Sequence, residues 1–218
     1  MKFFIDTAEI EEIKSLSNLG LVDGVTTNPS LIYKSGKDFK TVIKEISNII
    51  DGPISAEVTS TVSNEMITQG IELAKIANNI VVKVPLTKDG LLACKELSEK
   101  NIKVNVTLCF SAAQALLAGK LGATYISPFI GRLDDIGTTG LNLIKEIVNI
   151  YTIFKDDIKT EVLAASIRSP LQVSQVALMG ANVATIPPKI IMQMMKHPLT
   201  DSGLEIFMED WKKTGQKF

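Results

Sequence analysis

Two kinds of pattern take turns along the chain. Short runs rich in β-branched and apolar residues read as strands: FFID (3–6), GVTTN (24–28), ISAEV (54–58), IVVKV (80–84), KVNVTL (103–108), YISPF (125–129), EVLAAS (161–166) and NVATI (182–186). Between them lie stretches whose apolar residues return every three or four positions, the signature of a helix with one buried face. TAEIEEIKSLSNL (7–19) and NLIKEIVNIYTIF (142–154) are examples, the second placing Leu143, Ile147, Ile150 and Phe154 on one side. Regular alternation of this kind predicts parallel strands joined by right-handed helical crossovers. Eight units without a linker or a break in composition predict one (β/α)8 domain, a TIM barrel, over 1–218. An open, doubly wound sheet is the competing arrangement.

The last stretch, TDSGLEIFMEDWKKTGQKF (200–218), lies beyond the eighth unit and predicts an extra C-terminal helix. Leu204, Phe207, Met208 and Trp211 would share one of its faces. Apolar surface left over after the barrel is complete predicts docking, on the barrel or on a neighbouring subunit.

Composition narrows the function classes. The 218 residues are 45% hydrophobic and 22% charged, with a formal net charge of -1, so no basic footprint for nucleic acid or an anionic membrane exists. No apolar stretch is long enough to span a bilayer. The N-terminal MKFFIDTAEIEEIK turns acidic early and has no small-residue cleavage site, unlike a secretory signal. Cys94 and Cys109 form no CxxC pair and read as reduced core thiols, so the expected compartment is the cytoplasm. His197 is the single histidine, and neither GxGxxG nor GxxxxGK[ST] occurs. The expected chemistry uses lysine and carboxylates, with no metal and no cofactor.

In a barrel the active site collects at the C-terminal ends of the strands. Those ends carry Asp6, Asn28, Glu57, Lys83, Asn105 with Thr107, Ser127 and Ser166, while the eighth run, ending ATIP, offers no obvious group. Residues two apart on a strand share a face, so Thr26 with Asn28, Asn105 with Thr107, and Ser166 with Arg168 would form polar pairs on otherwise apolar runs. Of 23 basic residues only Arg132 and Arg168 are arginine, and both follow strand ends. A guanidinium is a rigid, permanently charged fork suited to phosphate, and Ser166 would add a hydroxyl. The alternative for Arg132 is a salt bridge to Asp134 or Asp135.

Lys83 stands inside an apolar run, where an unpaired ammonium is costly. Burial and nearby positive charge lower the pKa of a lysine, and a neutral amine can condense with a ketone to a Schiff base. Asp6 and Glu57 could serve the proton transfers that such chemistry requires, and Thr107 could help Glu57 hold a water. An aldolase-type reaction on a phosphorylated sugar leads on these grounds. A structural lysine paired to Glu57 or Asp6 is the other reading.

Five segments carry a family likeness: DGVTTNPSLI (23–32), VVKVPLTKDG (81–90), VNVTLCFSAAQALLA (104–118), ISPFIGRLDD (126–135) and LAASIRSP (163–170). Together they resemble the transaldolase family, in its small-subunit branch that also includes the fructose-6-phosphate aldolases. The resemblance implies a (β/α)8 barrel and transfer of a dihydroxyacetone unit between sugar phosphates in the non-oxidative pentose phosphate pathway. It implies Lys83 as the Schiff-base lysine and Asp6 as the carboxylate that moves the donor's hydroxyl proton. Glu57 and Thr107 match the pair that holds the catalytic water. Asn28, Asn105 and Ser127 match residues that bind the donor's hydroxyls, and Arg132, Ser166 and Arg168 match the phosphate site. A homo-oligomer is also implied, a decamer of two pentameric rings with C-terminal helices reaching across to neighbours. The branch's aldolases carry glutamine where this chain has Glu57 and tyrosine where it has Phe129, which puts the sequence on the transferase side. A fructose-6-phosphate aldolase, an isomerase or epimerase using Glu57 as base, and a non-catalytic sugar-phosphate-binding barrel are the competing functions.

Overall fold

In the computed structural model, which describes residues 1–217, the alternating pattern becomes eight parallel strands. In chain order the elements are β1 (Lys2–Asp6), α1 (Ile10–Ser17), β2 (Gly24–Thr26), α2 (Pro29–Ser35), α3 (Phe39–Ser47), β3 (Ile54–Glu57), α4 (Ser63–Ala74) and β4 (Ile80–Pro85). They continue with α5 (Lys88–Glu99), β5 (Val104–Cys109), α6 (Ala112–Lys120), β6 (Tyr125–Pro128), α7 (Ile130–Asp135), α8 (Gly140–Ile153) and β7 (Glu161–Ala164). The chain closes with α9 (Pro170–Leu178), β8 (Val183–Ile186), α10 (Pro188–Met194) and α11 (Pro198–Lys213). Each strand pairs with its neighbour in sequence, and β8 pairs with β1, Phe3 opposite Ala184 and Ile5 opposite Ile186. That last pairing closes the barrel and excludes the open sheet.

Two apolar layers hold the barrel, and strand alternation decides which residue joins which. Side chains pointing outward, among them Ile5, Val25, Ile54, Val82, Val84, Val106 and Ile126, pack against the helices in the main core. Those pointing inward form a second cluster of Phe4, Val81, Tyr125, Leu163 and Val183, a plug across the barrel's interior. Phe4 and Tyr125 meet edge to face at 5.7 Å between ring centres. Gly24 makes room for this plug: a methyl group there would sit 2.6 Å from the Phe4 ring.

Two residues further along four of these five strands, the inward positions turn polar; on β7, Leu163 is followed by Ala165. Asp6 follows Phe4, Lys83 follows Val81, Ser127 follows Tyr125 and Thr185 follows Val183. The plug therefore forms the floor on which the polar layer stands, at the C-terminal mouth. α2 and α7 are short helices inserted at that mouth, between β2 or β6 and the longer helix that completes the unit. Several helices begin on a side chain that accepts from the backbone, including Asp38, Thr87, Ser111 and Ser169.

The predicted strands overrun at four C-terminal ends. β2 stops at Thr26, β3 at Glu57, β6 at Pro128 and β7 at Ala164. Asn28 instead caps α2, accepting from Leu31 N at 3.0 Å, and Phe129 opens α7. Ser166 adopts a left-handed backbone with φ 61°, so it does not share a strand face with Arg168. The predicted tail helix is α11, and it buries none of its side chains within the chain; Phe207 is 73% exposed. No helix among the described residues is long and apolar enough to cross a membrane.

Candidate active site

Register brings the chemistry together. Glu57 lies opposite Lys83 in the β3–β4 ladder, and Lys83 lies opposite Asn105 in the β4–β5 ladder. These are inward positions of adjacent strands, so their side chains stand side by side at the mouth. The Lys83 Nζ reaches Glu57 Oε2 at 3.0 Å and donates to the Thr27 carbonyl, also at 3.0 Å. Lys83 is 6% exposed by its side chain and Glu57 14%. The lysine thus has an acidic partner that its own strand does not show. The pairing with Glu57 considered as a structural alternative is present.

The amine is not sealed away. Lys83 lines a cavity of about 410 Å³ at the barrel mouth, together with Asp6, Asn28, Thr107, Ser127 and Phe129. Arg132, Ser166 and Arg168 line the same cavity. Glu57 borders an adjoining cavity of about 380 Å³, which Asn28, Lys83, Thr107, Phe129 and Arg132 also line. Asn105 lies just beneath. It accepts from Ser127 Oγ at 2.7 Å and donates to Ser55 Oγ at 3.1 Å, so one amide orients two hydroxyls. All eleven residues expected at the site from the sequence therefore gather at one mouth, ten on the cavities and Asn105 directly below.

Asp6 accepts from Thr26 Oγ1 at 2.8 Å, and Thr26 in turn meets the Thr185 hydroxyl. Burial pushes the Asp6 carboxyl above its ordinary range, because losing water penalises the charged form more than the Lys83 ammonium and the Thr26 hydroxyl favour it. Thr107 Oγ1 is buried without a hydrogen-bond partner among the described residues. A hydroxyl in that state costs about 1–3 kcal/mol, and such groups mark places where a bound molecule supplies the missing partner. The next residue, Leu108, has φ 60°, and the ladder to β6 shifts register between Val106 and Cys109. Strain of about 1–3 kcal/mol at a non-glycine residue in this region is characteristic of functional sites.

The arginine end departs from expectation. Asp135 pairs with Arg168, not Arg132, through two contacts of 2.6 Å. Asp134 accepts from Gly140 N and from Gln172 Nε2, each at 2.8 Å. Arg132 lies over the face of Phe129, 5.1 Å from the ring centre, and Phe129 meets Phe110 edge to face. The salt bridge considered for Arg132 is absent among the described residues, and an aromatic ring holds that guanidinium instead.

Three polar residues lining the cavity of about 410 Å³ were not expected as site residues from the sequence. Thr185 comes from the strand that offered no obvious group; a threonine in a β-branched run reads as a strand former, although its spacing from Val183 puts it on the inward face. Thr26 was visible only as a companion of Asn28. Lys34 reaches both cavities from α2, and nothing in its local sequence separates it from solvent-facing lysines.

Among solved structures, thiamine phosphate pyrophosphorylase from Pyrococcus furiosus superposes with a TM-score of 0.57 over 85% of each chain; at 16% identity this is likeness of fold alone. A protein of Chelativorans sp. named "Probable transaldolase" is 60% identical over 217 residues, covering 100% of this chain and 99% of its own. Proteins of the same name from Parvibaculum lavamentivorans and Thermoanaerobacter sp. are 61% and 58% identical, each over the whole of this chain and 99% or more of theirs. The family model described as transaldolase/fructose-6-phosphate aldolase matches residues 3–218, and the chain belongs to that family.

Proposed function

We propose that the protein acts as a transaldolase through a Schiff base on Lys83. It would move a dihydroxyacetone unit from a ketose phosphate, such as sedoheptulose 7-phosphate or fructose 6-phosphate, to an aldose phosphate, such as glyceraldehyde 3-phosphate or erythrose 4-phosphate. These are reactions of the non-oxidative pentose phosphate pathway. One observation carries the reading: a buried lysine amine opens onto a cavity that also holds a carboxylate, Asp6, and two arginines.

The chemistry follows from that placement. The Lys83 ammonium passes a proton to Glu57, 3.0 Å away, and the free amine attacks the donor's ketone carbon. Glu57 returns the proton to the carbinolamine oxygen, which leaves as water and yields the iminium. Asp6 then takes the proton of the hydroxyl on that carbon of the breaking bond which leaves as the aldehyde. The carbon–carbon bond's electron pair flows into the iminium and forms an enamine, while the aldose phosphate departs as an aldehyde. An acceptor aldehyde enters, the enamine attacks it, and Asp6 protonates the new alkoxide. Water, activated by Glu57 and held by Thr107, releases the product. The unpartnered Thr107 hydroxyl fits that role.

Asn28, Asn105 and Ser127 are read as holding the donor's hydroxyls, and Arg132, Ser166 and Arg168 as holding its phosphate. Phe129 has no hydroxyl with which to protonate the enamine, so the three-carbon unit waits for an aldehyde. The exposed apolar face of α11 supports the further reading that copies of this chain associate, as the expected decamer would require. Sedimentation analysis of the full chain tests it, and a monomer at micromolar concentration would rule it out.

Borohydride reduction in the presence of fructose 6-phosphate should trap a three-carbon adduct on the peptide containing Lys83. Bound substrate with no adduct there would exclude the covalent mechanism. Fructose 6-phosphate without an acceptor separates transfer from simple cleavage, since steady release of free dihydroxyacetone would identify an aldolase instead.

A further inference from the structure

We propose that Asp135 is a positioning residue for the phosphate anchor, holding the Arg168 fork so that its free edge faces the cavity. The proposal rests on reading Arg168 as that anchor. Asp135 grips the guanidinium end-on, Oδ1 on Nη1 and Oδ2 on Nη2, each at 2.6 Å. An arginine has five N–H donors, and this grip uses one on each terminal nitrogen. The Nε–H and one hydrogen on each Nη stay available, enough for a bidentate contact with a phosphate along the Nε side.

Gly131 shows where that side lies. A methyl group there would stand 2.7 Å from Arg168 Nε and 3.0 Å from Ser166 Oγ, so both donors converge beside the same α-carbon. Arg168 and Ser166 both line the cavity, whereas Asp135 is not part of its lining. The backbone is tied down as well. Gln172 Oε1 accepts from Arg168 N at 2.7 Å, while its Nε2 donates to Asp134, which in turn accepts from Gly140 N. Asp134 thus fixes the chain that carries Arg168, and Asp135 fixes the fork itself. Without Asp135 a half-exposed arginine has many rotamers, and ordering it would draw on the binding energy of each phosphate.

The test compares Asp135→Asn, Arg168→Ala and the double variant, using a phosphorylated ketose and its unphosphorylated counterpart. Asp135→Asn should raise KM for the phosphorylated substrate about five- to tenfold with kcat nearly unchanged, and leave the unphosphorylated one alone. Asp135→Glu should restore part of the loss. In the Arg168→Ala background the asparagine should add nothing, because there is no fork left to hold. An unchanged or lowered KM in Asp135→Asn, or effects that multiply in the double variant, would overturn the proposal. If Arg168→Ala itself keeps the preference for phosphate, the phosphate reading fails and this inference with it. If Arg168→Ala loses that preference while Asp135→Asn is silent, only this inference fails.

Discussion

Replacing Lys83 by methionine removes the amine while keeping a side chain of similar length, and its cost can be worked from the pair it breaks. Glu57 then keeps a carboxylate that is 14% exposed with no cation at 3.0 Å, and the Thr27 carbonyl loses its donor. Removing one partner of a buried pair costs about 3–5 kcal/mol, nearly all of it from the charge left behind. Because the Glu57 carboxylate borders the mouth cavity and can draw some water, the lower end, about 3 kcal/mol, is expected here. For a chain of this size each kcal/mol is worth about 2–4 °C, so Lys83→Met should melt roughly 6–12 °C below the parent. Adding Glu57→Gln should recover most of that loss, since no uncompensated charge then remains. Both variants should be inactive and retain the parent's far-ultraviolet circular dichroism. The measurement is thermal melting of the four proteins of this cycle at equal concentration. A Lys83→Met protein as stable as the parent would mean that the pair is not the buried ion pair described. A double variant no better than the single would show that the loss comes from packing, not from Glu57.

Asp6→Asn and Thr107→Val should each trade stability against rate. Asp6 is pushed up by burial, so its protonated form is favoured by folding; that contribution is fully present below the unfolded-state value and is lost as pH rises through the folded-state one. Asparagine should therefore raise the melting temperature at neutral pH and leave it little changed in acid, while slowing turnover about 10²-fold or more. An equal gain at both pH values would refute the desolvation argument. On the proposed mechanism, with Asp6 as the base, the parent's rate should fall in acid along a limb lying above the ordinary carboxylate range. Thr107→Val removes a buried hydroxyl that has no partner, so the variant should be as stable as the parent or more so by about 1 kcal/mol. Its turnover should nonetheless drop, and a clear loss of stability would show that the hydroxyl is satisfied after all.

The order of strands and helices, and the end of the barrel at which the polar residues gather, could be read from the sequence because both depend on local periodicity. A strand has period two and a helix 3.6, and each leaves its mark within ten residues. Lys83 was conspicuous for the same reason: a charge inside IVVKV breaks a local pattern. Thr185 and Lys34 broke none, so they stayed unremarked although both line the cavity.

Partnership was decided only by the tertiary structure. Glu57 and Lys83 are 26 positions apart and meet because β3 and β4 run parallel in one register. Asp135 and Arg168 lie on different crossovers and still pair, while Arg132, nearer in sequence, lies over the face of Phe129. Closure of the sheet is of the same kind, since the β8–β1 pairing joins the two ends of the barrel. The sequence by itself determined which residues are costly to bury. Packing determined which of them compensate one another, because charges and hydrogen bonds act through distance in space, not along the chain.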